Sequence, residues 1–208
     1  MPTCAHSPVT IAVEAGARNS RRLFAGVDVA APPPAVWAAL TSYSQLGTFI
    51  PGLVVNRVLQ TRRGGAQVLQ IGQAEVAFGW KFTARCVLDI QEWERGVPAA
   101  MCGPDDGGGV FPSPRSPLAT PHRDISFELV NGDFELFQGM WRTQAQTRPA
   151  GGCRLSYSLL VRPHPWLPVG LIQPRVEREV VANLGAVARY CEANQARLGA
   201  GALRVEEA

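Results

Sequence analysis

Residues 171–198 read "LIQPRVEREVVANLGAVARYCEANQARL", and they place Val176, Val180, Leu184, Val187 and Cys191 three or four positions apart. That spacing puts the five apolar side chains on one face of an α-helix. Pro174 falls within the first turn or so, where its missing N–H is harmless. A helix with one apolar stripe has to bury it against another element, so the fold depends on what the preceding 170 residues offer.

They offer strands. Immediately upstream, "CRLSYSLLVRP" (153–163) alternates Leu155, Tyr157, Leu159 and Val161 with other residues, the period of a strand with one buried face. Before it, "RDISFELVNGDFELFQGMWRTQAQT" (123–147) consists of two alternating runs flanking Asn131-Gly132, a pair suited to a type I′ hairpin turn. Further back, "LVVNRVLQTRR" (53–63), Gly64-Gly65 and "AQVLQIGQAEVAF" (66–78) form another hairpin. In "WKFTARCVLDIQEWE" (80–94), Phe82, Ala84, Cys86, Leu88 and Ile90 share a face. At the N-terminal end "VTIAVE" (9–14) and "RRLFAGVDVA" (21–30) are extended runs joined by "GARN". Prolines 32–34 then stop the strand, and "PPAVWAALTSY" (33–43) starts a short helix, with a second short turn over 43–47.

Two segments interrupt this order. Residues 96–122 hold six prolines and five glycines, which cannot sustain a helix or a ladder, and read as a disordered surface insertion. The loop "YSQLGTFIPGL" (43–53) sets Phe49 and Ile50 directly before Pro51-Gly52, although a connecting loop should be polar. The expected organisation is a disordered N-terminus at 1–8, one domain over 9–195 carrying the 96–122 insertion, and a C-terminal tail at 196–208.

Composition narrows the function. No run of about 18 apolar residues occurs, which argues against a membrane-spanning helix. A net charge of +3, with arginines scattered over strands, loops and helix faces, provides no basic stripe for nucleic acid. Five cysteines with no C-x-x-C pair suggest reduced thiols rather than disulfides or a zinc site. "MPTCAHSPVTIAV" lacks a secretory signal and contains no acidic residue before Glu14, which fits a trimmed transit peptide.

The histidines, His6, His122 and His164, all fall outside core-facing strand positions, so a nucleophile would lack a base and no catalytic residue is assigned. No helix pairs histidine with carboxylate at ligand spacing, so no metal is expected, nor any cofactor. Strand carboxylates Glu75, Asp89, Glu128, Asp133 and Glu135 mostly alternate as solvent-facing residues do, with Glu75 the least settled.

The whole pattern is α+β: a curved antiparallel sheet of about six or seven strands around a long C-terminal helix, with two short helices after the first long strand. The segments "NSRRLFAGVDVAAPPPAVWAALTSYSQLGTFIPGL", "QIGQ", "KFTARCVLDI", "ISFELVNGDFELFQGMWR" and "LSYSLLVRP" resemble the START-like (SRPBCC, helix-grip) superfamily. Within it they resemble the coenzyme Q-binding, polyketide cyclase/dehydrase and lipid-transport families, in the branch of cyanobacteria and plastids. The resemblance implies a plastid location and an apolar cavity between sheet and helix. It also implies a hydrophobic small-molecule ligand such as a lipid, isoprenoid quinone or pigment precursor. Ser42, where relatives often carry an acid, and Trp80, where a smaller aliphatic is usual, depart from the pattern.

On this reading the strands supply Phe82, Phe127, Leu129, Leu136, Leu155 and Tyr157 to the cavity, and the helix supplies Val176, Val180 and Leu184. Gln70 and Gln138 are candidate polar anchors, and Phe49 and Ile50 point inward as a lid or plug. The same side chains would also fill a solid core. Trp166 and Leu167 either staple the helix start or touch a bilayer surface transiently. Three functions stay open: a carrier, a polyketide cyclase/aromatase-type enzyme, and an assembly factor acting through its surface.

Overall fold

A computed structural model describes residues 7–75, 81–103, 111–116, 119–146 and 151–206, with side chains omitted at 74–75, 81–82 and 200–206. The expected N-terminal segment therefore lies outside the described residues up to position 6, as do parts of the insertion.

Eight strands form one antiparallel sheet: β1 Thr10–Ala15, β2 Arg21–Val29, β3 Leu53–Arg62, β4 Gly65–Glu75, β5 Lys81–Trp93, β6 His122–Gly132, β7 Phe134–Ala145 and β8 Cys153–Pro163. Their spatial order is β1-β2-β8-β7-β6-β5-β4-β3, so consecutive strands pair except β2 and β3, where the chain crosses from beside β8 to the far edge of the sheet. Helix α1 (Pro33–Thr41) and a 3₁₀ turn (Tyr43–Thr48) make that crossover. Helix α2 (Val169–Glu206) closes the chain, and the curved sheet wraps around it. The count exceeds the expected six or seven because β1 pairs along β2 as a full edge strand.

Two turns show how local chemistry sets the frame. Arg18 and Asn19 adopt positive φ, 51° and 61°, in the β1–β2 turn. The Asn19 side chain then accepts from the Val169 N–H at 2.8 Å and donates to the Leu167 carbonyl at 2.9 Å. The start of α2 is thereby capped from the far end of the sequence. Pro174 sits in the second helical turn, one turn later than the sequence suggests, where the carbonyl it leaves unpaired belongs to exposed Gly170.

The β6–β7 connection differs from the expected Asn131-Gly132 type I′ turn. Asn131 does not take positive φ. Instead β6 runs on beside β5 as far as Gly132, pairing with Cys86. Arg85 on β5 holds the corner: its N–H donates to the Asp133 carboxylate at 2.7 Å, and its guanidinium donates to the Asn131 side chain at 2.7 Å.

On the outer face of the sheet, the described part of 96–122 lies flat. Val97, Phe111 and Met140 form a small buried cluster, with Trp93, Met101 and Cys102 against it. Asp124, fully buried, accepts from Arg142 twice at 2.8 Å and from the Val97 N–H at 2.9 Å. Ser158 hydrogen-bonds the Pro112 carbonyl, and Arg115 pairs with Glu14. Among the described residues of the segment one bridge joins Cys102 to Phe111, and both backbone groups and side chains dock it on β6–β8.

Candidate ligand cavity

The space between sheet and α2 divides into two halves. In one, α1 packs on α2, β7 and β8 while α2 packs on β2: Ala35, Val36, Leu155, Leu184, Val187 and Cys191 are each essentially without exposure. This half is solid, as interiors usually are. In the other, α2 residues from Arg175 to Asn183 stand over β4–β8 and leave a cavity of about 250 Å³.

The void has a local cause. Gly72 on β4 and Ala84 on β5 are direct cross-strand neighbours on the inner face. A Cβ placed on Gly72 would meet nothing within 4 Å. Two adjacent positions without bulk leave the helix unfilled space beneath it. Apolar side chains line most of the remainder, among them Leu40, Leu88, Ile90, Ile125, Phe127, Phe134, Phe137 and Leu159.

The mouth lies where exposed Pro51 and Gly52 meet Arg175 and Glu179, themselves joined at 2.6 Å. Gly52 has φ +75°, and a Cβ there would come within 3.1 Å of both the Gln73 carbonyl and the Glu179 carboxylate. Only glycine fits that approach. Gln70 reaches the cavity while its amide donates to Asn56 at 3.2 Å, and Asn56 in turn donates to the Tyr43 carbonyl at 2.7 Å.

Tyr43 lines the inner end and donates its hydroxyl to Glu92 at 2.6 Å. Burial first, and that bond second, push its phenol well above the usual range. Tyr157 lies opposite Trp141 across the β7–β8 ladder, rings 4.4 Å apart, and stacks at 5.9 Å on Phe127. Burial also pushes the Tyr157 phenol up. Gly139 makes this cluster feasible, because a Cβ there would sit 2.8 Å from the Phe127 ring and 2.1 Å from the Ser158 carbonyl. Cys86 also lines the cavity, and burial raises its thiol to about 12.

Of the residues picked out from sequence, Ile50, Gln70, Phe127, Tyr157, Val176 and Val180 meet at the cavity. Phe49 does not; its ring stacks on Tyr190 of α2 at 4.1 Å, outside the cavity. Leu136 and Gln138 also miss it, for a definite reason. A β-bulge between Phe134 and Leu136 places two residues of β7 against one of β8. That shift turns Phe137 and Trp141 inward, leaving Gln138 in the other phase and fully buried. Leu155 and Leu184 are in the solid half. Leu129 packs on the core without lining the cavity, and the Phe82 side chain lies outside the described residues.

Tyr43, Trp141, Phe137 and Asn183 were not anticipated. Alternation marks Trp141 as inward only if the bulge is known.

Groups for chemistry are sparse here. Among the described residues no histidine lines the cavity: His122 lies 3.6 Å from Asp124, and the His164 ring is 6.5 Å from that of Trp166. Asp89 pairs with Arg62 at 2.7 Å, and Glu128, Asp133 and Glu135 are exposed. Glu75, as a side chain, and Trp80 and His6 lie outside the described residues. Ser42, at the position often acidic in relatives, turns its hydroxyl back to the Ala38 carbonyl at 2.7 Å. No group of three or more His, Cys, Asp or Glu among the described residues could hold a metal ion.

This geometry coincides with a known family. The model for polyketide cyclase/dehydrase and lipid transport matches residues 29–188. The chain belongs to that family. The match runs from the end of β2 through most of α2 and so includes the whole cavity.

Solved structures agree on the START-like fold. A STAR-related lipid transfer protein from Xanthomonas axonopodis superposes with a TM-score of 0.65 at 12% identity, over 88% of this chain and 93% of that one. The Zhui aromatase/cyclase from Streptomyces sp. R1128 gives 0.58 at 18% identity, over 84% and 95%. The human StarD13 lipid transfer and protein localization domain gives 0.56 at 12%, over 90% and 86%. No curated protein matches the chain in sequence.

Proposed function

We propose that this family member binds a hydrophobic small molecule between sheet and helix and carries or sequesters it. The observation behind this reading is the divided interior. One half is packed solid, while the other keeps about 250 Å³ open to the surface beside Gly52. Cavities lower stability in proportion to their size, so a chain selected for stability alone would fill Gly72 and Ala84. The volume lies near the low end of ligand pockets, roughly 300–1,000 Å³. We therefore propose that the cavity encloses the ring or head of a lipid, such as an isoprenoid quinone or a pigment precursor, rather than a whole long chain.

The relatives' names support both a lipid-transfer and an aromatase/cyclase role. The carrier reading is favoured here because the lining groups suit proton transfer poorly. Glu179 is engaged by Arg175, and burial raises the phenols of Tyr43 and Tyr157 further from the working pH, so they stay protonated. As part of the same proposal, exposed Trp166 and Leu171 at the start of α2 touch a membrane during exchange. A reducing, plastid location completes it, supported by the free thiols Cys86, Cys102, Cys153 and Cys191 and by the sequence resemblance.

The test is extraction of protein purified without detergent from its native organism, followed by mass spectrometry. One lipid per chain is expected, and it should be lost when Ala84 is replaced by Leu. Protein that carries no lipid but turns over a polyketide chain would favour the cyclase reading.

A further inference from the structure

Two hydrogen-bonding groups on the sheet wall of the cavity find no partner among the described residues. Tyr157 is only 7% exposed, yet among the described residues its hydroxyl has no hydrogen bond. Trp141, directly opposite on β7, likewise keeps its indole N–H unpaired among the described residues. The protein does satisfy such groups elsewhere: Tyr43 donates to Glu92 at 2.6 Å, and the Trp93 indole donates to Ser126 at 2.9 Å.

Both side chains line the open cavity, so an apolar ligand that displaces solvent from them leaves two donors unpaired at a cost, whereas a ligand that brings an acceptor does not. An indole N–H can only donate, and a phenol held in its neutral form also has a proton to give. Both side chains line the same cavity, rings 4.4 Å apart.

We infer that Tyr157 and Trp141 together recognise an oxygen acceptor, so that the preferred ligand carries a carbonyl on an otherwise apolar skeleton. The inference rests on the cavity being a lipid-binding site and adds which polar group the lipid presents there.

Two probes of the same shape separate the ideas: 2-acetylnaphthalene, which has the carbonyl, and 2-isopropenylnaphthalene, which has a methylene in its place. Calorimetric titration into lipid-stripped full-length protein should show the ketone binding about tenfold more tightly, as one or two recovered hydrogen bonds imply. Tyr157→Phe should remove most of that preference and Trp141→Phe part of it. The preference is read as the ratio of the two affinities within each variant, so a change in cavity shape that affects both probes alike cancels, and an unchanged circular dichroism spectrum reports an intact fold. Equal affinities in the wild type, or a preference that survives in the double variant, overturn the inference while the lipid-binding reading stands. If neither probe binds up to its solubility limit, the lipid-binding reading fails and this inference with it.

Discussion

The rings of Phe49 and Tyr190 lie 4.1 Å apart and 13° from parallel, which clamps the loop before β3 onto the flank of α2. Its neighbour Ile50 turns the other way, into the cavity. One loop therefore supplies both a hinge pin and a wall. Arg197 extends the clamp by donating to the Tyr190 hydroxyl at 2.7 Å.

The clamp should be measurable. A double-mutant cycle of Phe49→Ala and Tyr190→Ala in urea unfolding is expected to give a coupling of about 0.5–1.5 kcal/mol, the usual worth of an aromatic pair beyond its buried area. Phe49→Ala should also speed release of bound ligand, because it frees the loop that carries Ile50. Coupling indistinguishable from zero would mean the loop is held by Ile50 and Pro51 alone.

The two halves of the interior should respond oppositely to added volume. Ala84→Leu projects into open space and should change stability by less than about 1 kcal/mol while abolishing lipid yield. Ala35→Leu, at a site with no exposure under α2, should cost about 1–3 kcal/mol by overpacking. In the solid half Leu184→Ala should cost about 2–5 kcal/mol. Equal penalties for Ala84→Leu and Ala35→Leu would mean that the cavity is closed in solution.

Alkali should destabilise the fold early. Burial raises the thiols of Cys86, Cys153 and Cys191 from 9.0 to about 12. Above pH 9 the unfolded chain loses these protons while the folded protein keeps them, so the unfolded state gains. The stabilisation is complete below about pH 8.5 and is lost progressively as pH rises toward 12, with buried Tyr43 and Tyr157 acting in the same direction. Urea midpoints should therefore fall between pH 8 and 10, and less steeply in a Cys153→Ala/Cys191→Ala variant. An unchanged slope in that variant would assign the effect to the tyrosines.

Asp124 should prove more important than its place on the outer face suggests. Its carboxylate has no exposure and serves both Arg142 and the Val97 N–H. Asp124→Asn leaves a buried guanidinium without its counter-charge, an effect of roughly 3–5 kcal/mol when the pair is well enclosed. The Arg142 side chain is 12% exposed, so the lower end is expected. Limited proteolysis should then cut within 97–116 before the sheet unfolds. Resistance equal to the wild type would show that Phe111 alone pins the segment.

The sequence by itself determined the elements and their partners. Alternation over 153–163 and the three-four spacing over 171–198 are properties of single stretches of backbone, so they survive without tertiary information. They carried the helix-grip order and six of the cavity residues. Only the tertiary structure decided which half of the interior is hollow, because that depends on Gly72 and Ala84 becoming neighbours across a strand pair and on what α2 sets above them. It also decided the phase of β7. One extra residue at the Phe134–Leu136 bulge exchanged Leu136 and Gln138 for Phe137 and Trp141, and a period-two pattern cannot reveal where it will slip by one. A cavity is the mismatch between two surfaces drawn from distant parts of the chain, and no local periodicity encodes a mismatch.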